Sequence, residues 1–263
     1  MSARRYDRPT VTEQPLRWVG DPLVADGVTE RRFDVDVDGR VVPGILWTPD
    51  GASGPRPLVL LGHGATRHKR VDHILALARQ LVVNFGFAAM AIDAASHGDR
   101  RPDTSADDFT VFSEFLVEWS RDGTVEDMVA DWQAALTAVR DLEEVGDGPL
   151  GYWGLSMGTI YGIPFVATEP RVQVAVFGLM GLVGPTSDRL CTDAGQVTCP
   201  VTFIQQWDDS LLPRQPVLDL FDALASVDKR LHVHPGEHAA VPVEEMEFSL
   251  TFLARHLAPY AGT

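Results

Sequence analysis

The pattern G-x-S-x-G occurs at positions 154–158, with Ser156 at its centre. An apolar run at 150–153 predicts a buried strand before it, and a helix is predicted from Met157 onwards. In that strand-to-helix context the pattern is typical of a nucleophile elbow, a strained turn that exposes a serine hydroxyl. The two glycines fit this interpretation, because side chains there would collide where strand and helix meet. Ser156 is therefore a candidate nucleophile, and the alternative is a glycine-rich turn with an incidental serine.

Hydrophobic periodicity predicts the elements that would hold this serine. Short apolar runs alternate with helical patterns, which is typical of an α/β fold with a doubly wound, mostly parallel sheet. Strands are predicted at 58–61, 87–92, 150–153, 172–177, 201–204 and 231–233, and helices at 72–84, 125–142, from 157, at 217–224 and at 243–257. An antiparallel hairpin, 31–37 and 41–47 around an Asp38-Gly39 turn, precedes them at the sheet edge. We expect one domain over 30–263 and an N-terminal arm over 1–29, either extended or mobile.

The composition restricts the partners of this chain. Its formal net charge is -15 and its pI is near 4.8, and nucleic acids and anionic membranes repel a polyanion, so neither is expected as a partner. No apolar run is long enough to span a bilayer, and residues 1–10 lack the hydrophobic region of a secretory signal, which predicts a cytoplasmic protein. Cys191 and Cys199 lack metal-site spacing, so no metal is expected. They are predicted to be free thiols, with a local disulfide as the alternative.

Two further segments follow predicted strands: Gly62-His63-Gly64-Ala65-Thr66 and Asp93-Ala94-Ala95-Ser96-His97-Gly98. Together with the elbow, and with an acid and a histidine in that order downstream, they resemble the α/β-hydrolase superfamily. The nearest resemblance is to the dienelactone-hydrolase-like and prolyl-oligopeptidase-like small esterases, over roughly residues 33–257. It implies a serine hydrolase that cleaves a small-molecule ester through an acyl-enzyme and needs no cofactor.

The resemblance also assigns an acid for a catalytic triad. Asp209 matches the family pattern D-x-x-[VL]-P, because a proline stands four positions later, and Asp208 is the alternative. In such a triad the carboxylate fixes the tautomer of the histidine and stabilises its charged form. Gln206 departs from the family, which commonly has a glycine there, and this departure leaves the shape of the loop open.

The base implied by the resemblance is His238, which closes a Gly-x-His sequence in the loop after the last predicted strand. A serine hydroxyl is a weak nucleophile, so the histidine must take its proton during attack and return it to the leaving group. His232 and His234 precede it on the strand or at the strand's rim. They are expected to be structural or surface residues.

The family places two backbone N–H donors beside the nucleophile, and here these are the amides of Met157 and Ala65. They would form an oxyanion hole for the tetrahedral intermediate. His63 is expected to shape the loop beside that hole and to border the substrate pocket. A basic cluster at 67–70 follows. These residues are expected to be exposed to solvent just before the helix predicted at 72–84. The alternative is that they recognise a substrate carboxylate.

The longest excursion between core elements covers 100–122. Its apolar residues recur at helical spacing, which predicts an amphipathic helix; they are Phe109, Phe112, Leu116 and Trp119, with Phe115 as a further aromatic. The segment leaves the carboxyl end of a strand, where ligands bind in open α/β sheets, so we expect a small cap beside the nucleophile. Phe112 and Trp119 would then border the substrate pocket. The alternative is that these side chains only pack on the domain body.

Several functions share such a triad. A small-ester hydrolase is favoured, and the alternatives are a lactonase, a thioesterase or a carbon-carbon hydrolase. A different class of protein, a non-catalytic ligand sensor on the same fold, usually lacks the nucleophile or the base. All three candidate triad residues are present in this chain, which favours the enzyme.

Overall fold

A computed structural model describes residues 16–258. The strands in this range are β1 (Arg17–Ala25), β2 (Val28–Val37), β3 (Arg40–Pro49), β4 (Leu58–Gly62), β5 (Ala88–Ile92), β6 (Leu150–Gly154), β7 (Val172–Gly178), β8 (Val201–Gln206) and β9 (Lys229–His234). The helices are α1 (Asp72–Phe85), α2 (Asp108–Trp119), α3 (Thr124–Arg140), α4 (Met157–Thr168), α5 (Ser187–Ala194), α6 (Arg214–Ala223) and α7 (Val243–Leu257). None of these helices is long and apolar enough to cross a membrane.

The strands described form one sheet in the order β1-β2-β3-β5-β4-β6-β7-β8-β9. Strands β4 to β9 run parallel to one another. Strands β1, β2 and β3 pair antiparallel at one edge, where β3 is also antiparallel to β5. The expected mostly parallel α/β sheet is confirmed. The hairpin of β2 and β3 is confirmed as well, and its turn residues Asp38 and Gly39 both have left-handed φ angles of 53° and 78°, as a tight hairpin turn requires.

Strand β1 was not predicted from the sequence, which placed these residues in an arm. The structure pairs it with β2, from Arg17 opposite Asp34 to Ala25 opposite Val28. Most of its side chains are exposed on both faces, so it lacks the alternation of apolar and polar residues by which a half-buried strand is recognised. The rest of the predicted arm, residues 1–15, lies outside the described residues.

Both faces of the parallel sheet are covered by helices. Along β4, Leu58 and Leu60 pack with α3 to α6 on one face, whereas Val59 and Leu61 pack with α1 and α7 on the other. This burial on both sides explains why the central strands are continuous apolar runs. It also leaves the carboxyl ends of the strands as the edge from which polar loops emerge.

Helix α2 confirms the helix predicted in the excursion, but the predicted apolar face was wrong. Val111 and Phe115 are buried, whereas Phe109 is 81% exposed. The buried side chains recur every four residues, at Val111, Phe115 and the half-buried Trp119. The predicted apolar face started instead at Phe109, which lies on another side of the helix. The packing partner decides this orientation: Phe115 lies edge-on against the ring of His97, with centroids 6.0 Å apart.

The two cysteines are free thiols, as expected from their spacing, and no disulfide joins them. Cys191 is exposed on α5, a helix that the sequence analysis did not identify. Cys199 is half-buried before β8, and burial raises the pKa of its thiol to about 12. The sulfur of Cys199 is therefore not an activated thiolate at neutral pH.

Candidate active site

The candidate catalytic residues follow three different strands. Ser156 comes directly after β6, Asp209 lies in the turn after β8, and His238 lies in the loop after β9. Because these strands are parallel, their carboxyl ends meet at one edge of the sheet. Residues far apart in sequence are thereby brought to one place.

The structure brings these three side chains into one hydrogen-bonded chain. His238 Nδ1 lies 2.7 Å from Asp209 Oδ2, and its Nε2 lies 3.0 Å from Ser156 Oγ. A carboxylate only accepts, so Nδ1 carries the proton and Nε2 is free to accept the hydrogen of the serine hydroxyl. The arrangement can therefore remove a proton from Ser156 while the resulting imidazolium faces a carboxylate.

The turn that carries Ser156 is strained in the way an elbow requires. Ser156 has φ 57° and ψ -118°, a backbone conformation that side chains rarely adopt. Its N–H donates to the carbonyl of Gly178 at 2.9 Å, which anchors the turn to β7. A Cβ at Gly158 would lie 2.6 Å from the carbonyl oxygen of Gly62, so the close approach of α4 to β4 needs a glycine. The turn leaves Ser156 half-buried between two buried neighbours.

The geometry distinguishes the two adjacent aspartates. Asp209 is 5% exposed in its side chain, and its second carboxylate oxygen accepts hydrogen bonds from the amides of Leu211 and Leu212. These bonds hold the carboxylate towards His238. Asp208 instead accepts a hydrogen bond from the amide of Gly236 at 3.1 Å, so it supports the loop that carries the histidine.

Gln206 is a second support of this loop, and sequence reasoning singled it out only as a departure from the family. Its side chain is buried, and its Nε2 donates to the carbonyls of Pro235 and Glu237 at 3.5 and 3.3 Å. A glycine at position 206 could make neither contact. The unusual polar residue at the end of a buried strand was the signal that could have identified it.

We predict that Gln206→Leu lowers kcat by about 10- to 100-fold with little change in KM, because it removes both hydrogen bonds to the loop of His238 and allows the imidazole to shift. The measurement is steady-state hydrolysis of a p-nitrophenyl ester together with a melting curve. Gln205→Leu is a matched control: Gln205 is also buried on β8, and its side-chain N and O have no partner among the described residues. Equal loss of kcat in both variants would contradict a positioning role for Gln206.

Two backbone amides were expected to form an oxyanion hole. Met157 is the first residue of α4, and Ala65 lies in the loop after β4. Neither amide donates a hydrogen bond to an acceptor within residues 16–258. A helix N-terminus also favours negative charge. Neither amide is thus occupied by a protein acceptor in the described part of the chain, as an oxyanion hole requires.

His63 lies in the loop beside these amides and is buried. Its Nδ1 donates to the carbonyl of Gly64 at 2.9 Å, and its Nε2 accepts from the amide of Ala94 at 3.1 Å. Burial, and next the neighbouring His97, lower the pKa of His63 well below its ordinary value, so the ring stays neutral. With both nitrogens engaged, His63 joins the loops after β4 and β5 and has no nitrogen left for a substrate.

Trp119 and Phe112 were expected to border the substrate pocket. Trp119 stacks on Phe115 at 5.5 Å, and its indole N–H donates to the hydroxyl of Thr186 at 2.8 Å, which ties α2 to the segment after β7. Phe112 is 39% exposed and contacts Phe115 at 6.0 Å between centroids. Through Phe115 and His97, α2 therefore packs against the loops of the candidate site.

The basic cluster at 67–70, which precedes α1, is not fully exposed to solvent as expected. Lys69 is 4% exposed and pairs with the carboxylates of Asp93 and Asp99. The cluster lines a cavity of about 500 Å³ under α2, and none of Ser156, Asp209 and His238 is among the residues that line it. Ion pairing with residues distant in sequence, which the local pattern does not show, accounts for the burial of Lys69.

The parallel sheet, the strained elbow and the loops at its carboxyl edge define an α/β-hydrolase. A model of the dienelactone hydrolase family matches residues 42–249. The chain belongs to the dienelactone hydrolase family, and it is a hydrolase. The resemblance noted in the sequence is thereby confirmed.

Solved structures agree with this assignment. A polyethylene-glycol-bound cold-adapted esterase from an Arctic intertidal metagenomic library is 44% identical, with a TM-score of 0.81, over 91% of this chain and 99% of that one. Its zinc-bound structure has a TM-score of 0.77 and 41% identity over the same shares. A dienelactone hydrolase from Anabaena variabilis shares the fold at 20% identity and a TM-score of 0.63, over 88% of this chain and 99% of its own.

One curated relative matches over a short segment. The uncharacterised protein YnbC of Escherichia coli K12 is 33% identical over 78 residues, which is 27% of this chain. The match spans only 13% of the length of YnbC. It adds no activity to the assignment.

Proposed function

We propose that this hydrolase is a serine esterase in which Ser156, His238 and Asp209 form the catalytic triad. The observation that carries the proposal is the hydrogen-bonded chain from Asp209 through His238 to Ser156, at 2.7 and 3.0 Å. Similarity to an esterase at 44% identity over nearly the whole of both chains supports ester bonds as the target.

In the proposed acylation step, Ser156 Oγ attacks the ester carbonyl while His238 Nε2 takes its proton. The carbonyl oxygen becomes negatively charged and accepts hydrogen bonds from the amides of Ala65 and Met157. The intermediate then collapses, and the bond between the carbonyl carbon and the oxygen of the leaving alcohol breaks. The imidazolium of His238 protonates that leaving oxygen. The alcohol leaves, and the acyl group remains on Ser156.

Deacylation repeats these steps with water. His238 takes a proton from water as it attacks the acyl carbonyl, and the same two amides stabilise the second tetrahedral intermediate. Its collapse breaks the bond to Ser156 Oγ, which recovers its proton from the imidazolium. The acid product leaves, and Asp209 remains ionised throughout.

The dienelactone hydrolase family name favours lactones as a second substrate class. A lactone is an ester whose leaving alkoxide stays attached to the acyl group. The same triad would open it by the same two steps, so a substrate panel must contain both.

We further propose that α2 borders the acyl group as a small cap. The expected result is that Trp119→Ala shifts the preference among p-nitrophenyl esters of increasing acyl length towards longer chains, by about 10-fold or more in relative kcat/KM. The physical reason is that Trp119 joins α2 to Thr186 and packs on Phe115, so its removal takes away a large side chain between the helix and the segment after β7. The panel also contains lactones and thioesters.

Phe109→Ala is the matched control for this panel, because Phe109 lies on the same helix and is 81% exposed. It should leave the acyl-length preference unchanged. A uniform loss across all chain lengths in Trp119→Ala, with a lower melting temperature, would mean that α2 only packs on the domain. If the wild-type protein turned over no ester or lactone of the panel, the proposed function itself would be wrong.

A further inference from the structure

Two histidines and a glutamate form a second polar cluster at the last strand. His232 and His234 alternate along β9 and so project from the same face of the strand. Glu245 lies in the first turn of α7, which packs against them. One nitrogen from each histidine and one carboxylate oxygen all lie within 4.8 Å of one another. None of these residues belongs to the proposed triad.

The contacts within this cluster converge on one carboxylate. His232 Nδ1 lies 2.9 Å and His234 Nε2 lies 2.7 Å from the same oxygen, Glu245 Oε2. The Glu245 side chain is 3% exposed, whereas each histidine is 26% exposed. The three potential ligand atoms therefore surround a point that is closed on the protein side and open to solvent on the other.

The burial of Glu245 needs a compensating positive charge. A buried carboxylate is costly unless it is paired or binds a metal, and no lysine or arginine of residues 16–258 forms an ion pair with it. Its side-chain partners in that range are the two imidazoles. Neutral imidazole nitrogens and a carboxylate are a ligand set that suits zinc.

We propose that His232, His234 and Glu245 bind a divalent transition metal of the zinc type. Ligand atoms of a tetrahedral zinc ion lie roughly 3.3 Å apart, given bonds of about 2.0–2.1 Å. The present N···O distances of 2.7 and 2.9 Å need to lengthen only by a few tenths of an ångström. Solvent occupies the fourth position on the open side.

The neighbours of the cluster favour this geometry. Phe248, one turn further along α7, packs against the ring of His232 with centroids 4.4 Å apart and holds its orientation. The site joins β9 to the start of α7, on either side of the loop that carries His238. A bound ion would therefore link the last strand to the last helix and stabilise the folded chain, since it binds the folded state in preference to the unfolded one.

The test is a zinc titration of the full chain by calorimetry, after chelator treatment and removal of the chelator. One zinc ion should bind, and Mg²⁺ should not compete, because it prefers oxygen ligands. Glu245→Gln keeps the shape of the side chain but removes its charge, and it should weaken binding about 100-fold or more. At zinc concentrations of about 100 times Kd, the melting temperature of the wild-type protein should rise by about 5–10 °C.

His68→Gln is the matched control, because His68 is exposed and lies outside the cluster. It should bind zinc as the wild-type protein does. Cobalt added in place of zinc should give tetrahedral absorption bands that disappear in His234→Gln, which provides a readout even if Glu245→Gln is less stable. Failure of the wild-type protein to bind zinc would overturn the proposal and leave only a hydrogen-bonded cluster. Undiminished binding in folded Glu245→Gln and His234→Gln would overturn it as well, by placing the zinc elsewhere.

Discussion

Replacement of Ser156 by alanine is expected to lower kcat/KM for ester hydrolysis by at least about 10³-fold, since loss of a triad nucleophile removes the covalent step. The melting temperature should change little, because Ser156 is half-buried at a turn and its hydroxyl is replaced by a hydrogen. Steady-state turnover of a p-nitrophenyl ester and a melting curve measure both quantities. A stably folded variant that retained more than about one-thousandth of the wild-type rate would show that Ser156 is not the nucleophile.

Covalent labelling provides a control for this variant that does not depend on the natural substrate. An organophosphonate should label the wild-type protein at Ser156, because the activated Ser156 Oγ attacks its phosphorus atom. His238→Ala should label far more slowly although Ser156 is still present, because Nε2 no longer accepts the proton. Equal labelling rates in the presence and absence of His238 would show that another group is the base.

Asp209→Asn is expected to lower kcat by about 10³- to 10⁴-fold, because an amide can donate to Nδ1 and so favour the wrong tautomer of His238. The substitution preserves shape, and the amide oxygen can still accept hydrogen bonds from Leu211 and Leu212. We expect the variant to remain folded with KM close to that of the wild-type protein. The measurement is kcat and KM across a pH series, with circular dichroism as a check on folding.

Asp208→Asn is the matched control for this second prediction. The two carboxylates are adjacent in sequence, but Asp208 contacts the amide of Gly236 rather than the imidazole. An asparagine oxygen can accept that hydrogen bond equally, so kcat should fall by less than about 10-fold. A larger loss in Asp208→Asn than in Asp209→Asn would exchange their proposed roles.

The sequence by itself was sufficient for the parallel sheet and for the elbow. Each depends on residues close together in the chain: a buried strand is recognised by its apolar run, and the elbow by glycines that must flank Ser156 within one turn. The sequence also shows that Ser156, Asp209 and His238 each follow a predicted strand, whereas their order as nucleophile, acid and base was given by the resemblance. The resemblance to a family was needed to choose Asp209 over Asp208, to assign His238 as the base and to place the amides of Met157 and Ala65.

The tertiary structure decided the features that depend on residues far apart in the chain. Gln206 supports the loop of His238 only because β8 and β9 are neighbours, and α2 buries Phe115 because His97 lies opposite. The sequence predicted neither contact. Periodicity describes one element at a time and does not show which partner that element meets.

The cluster at β9 shows the same division. The alternation of His232 and His234 is visible in the sequence, and it was interpreted as structural or surface-exposed. Glu245 joins them only when α7 packs against the strand. Local residue types determine which elements form, whereas the packing of elements determines which side chains meet, because contact energies depend on distances that only the folded chain establishes.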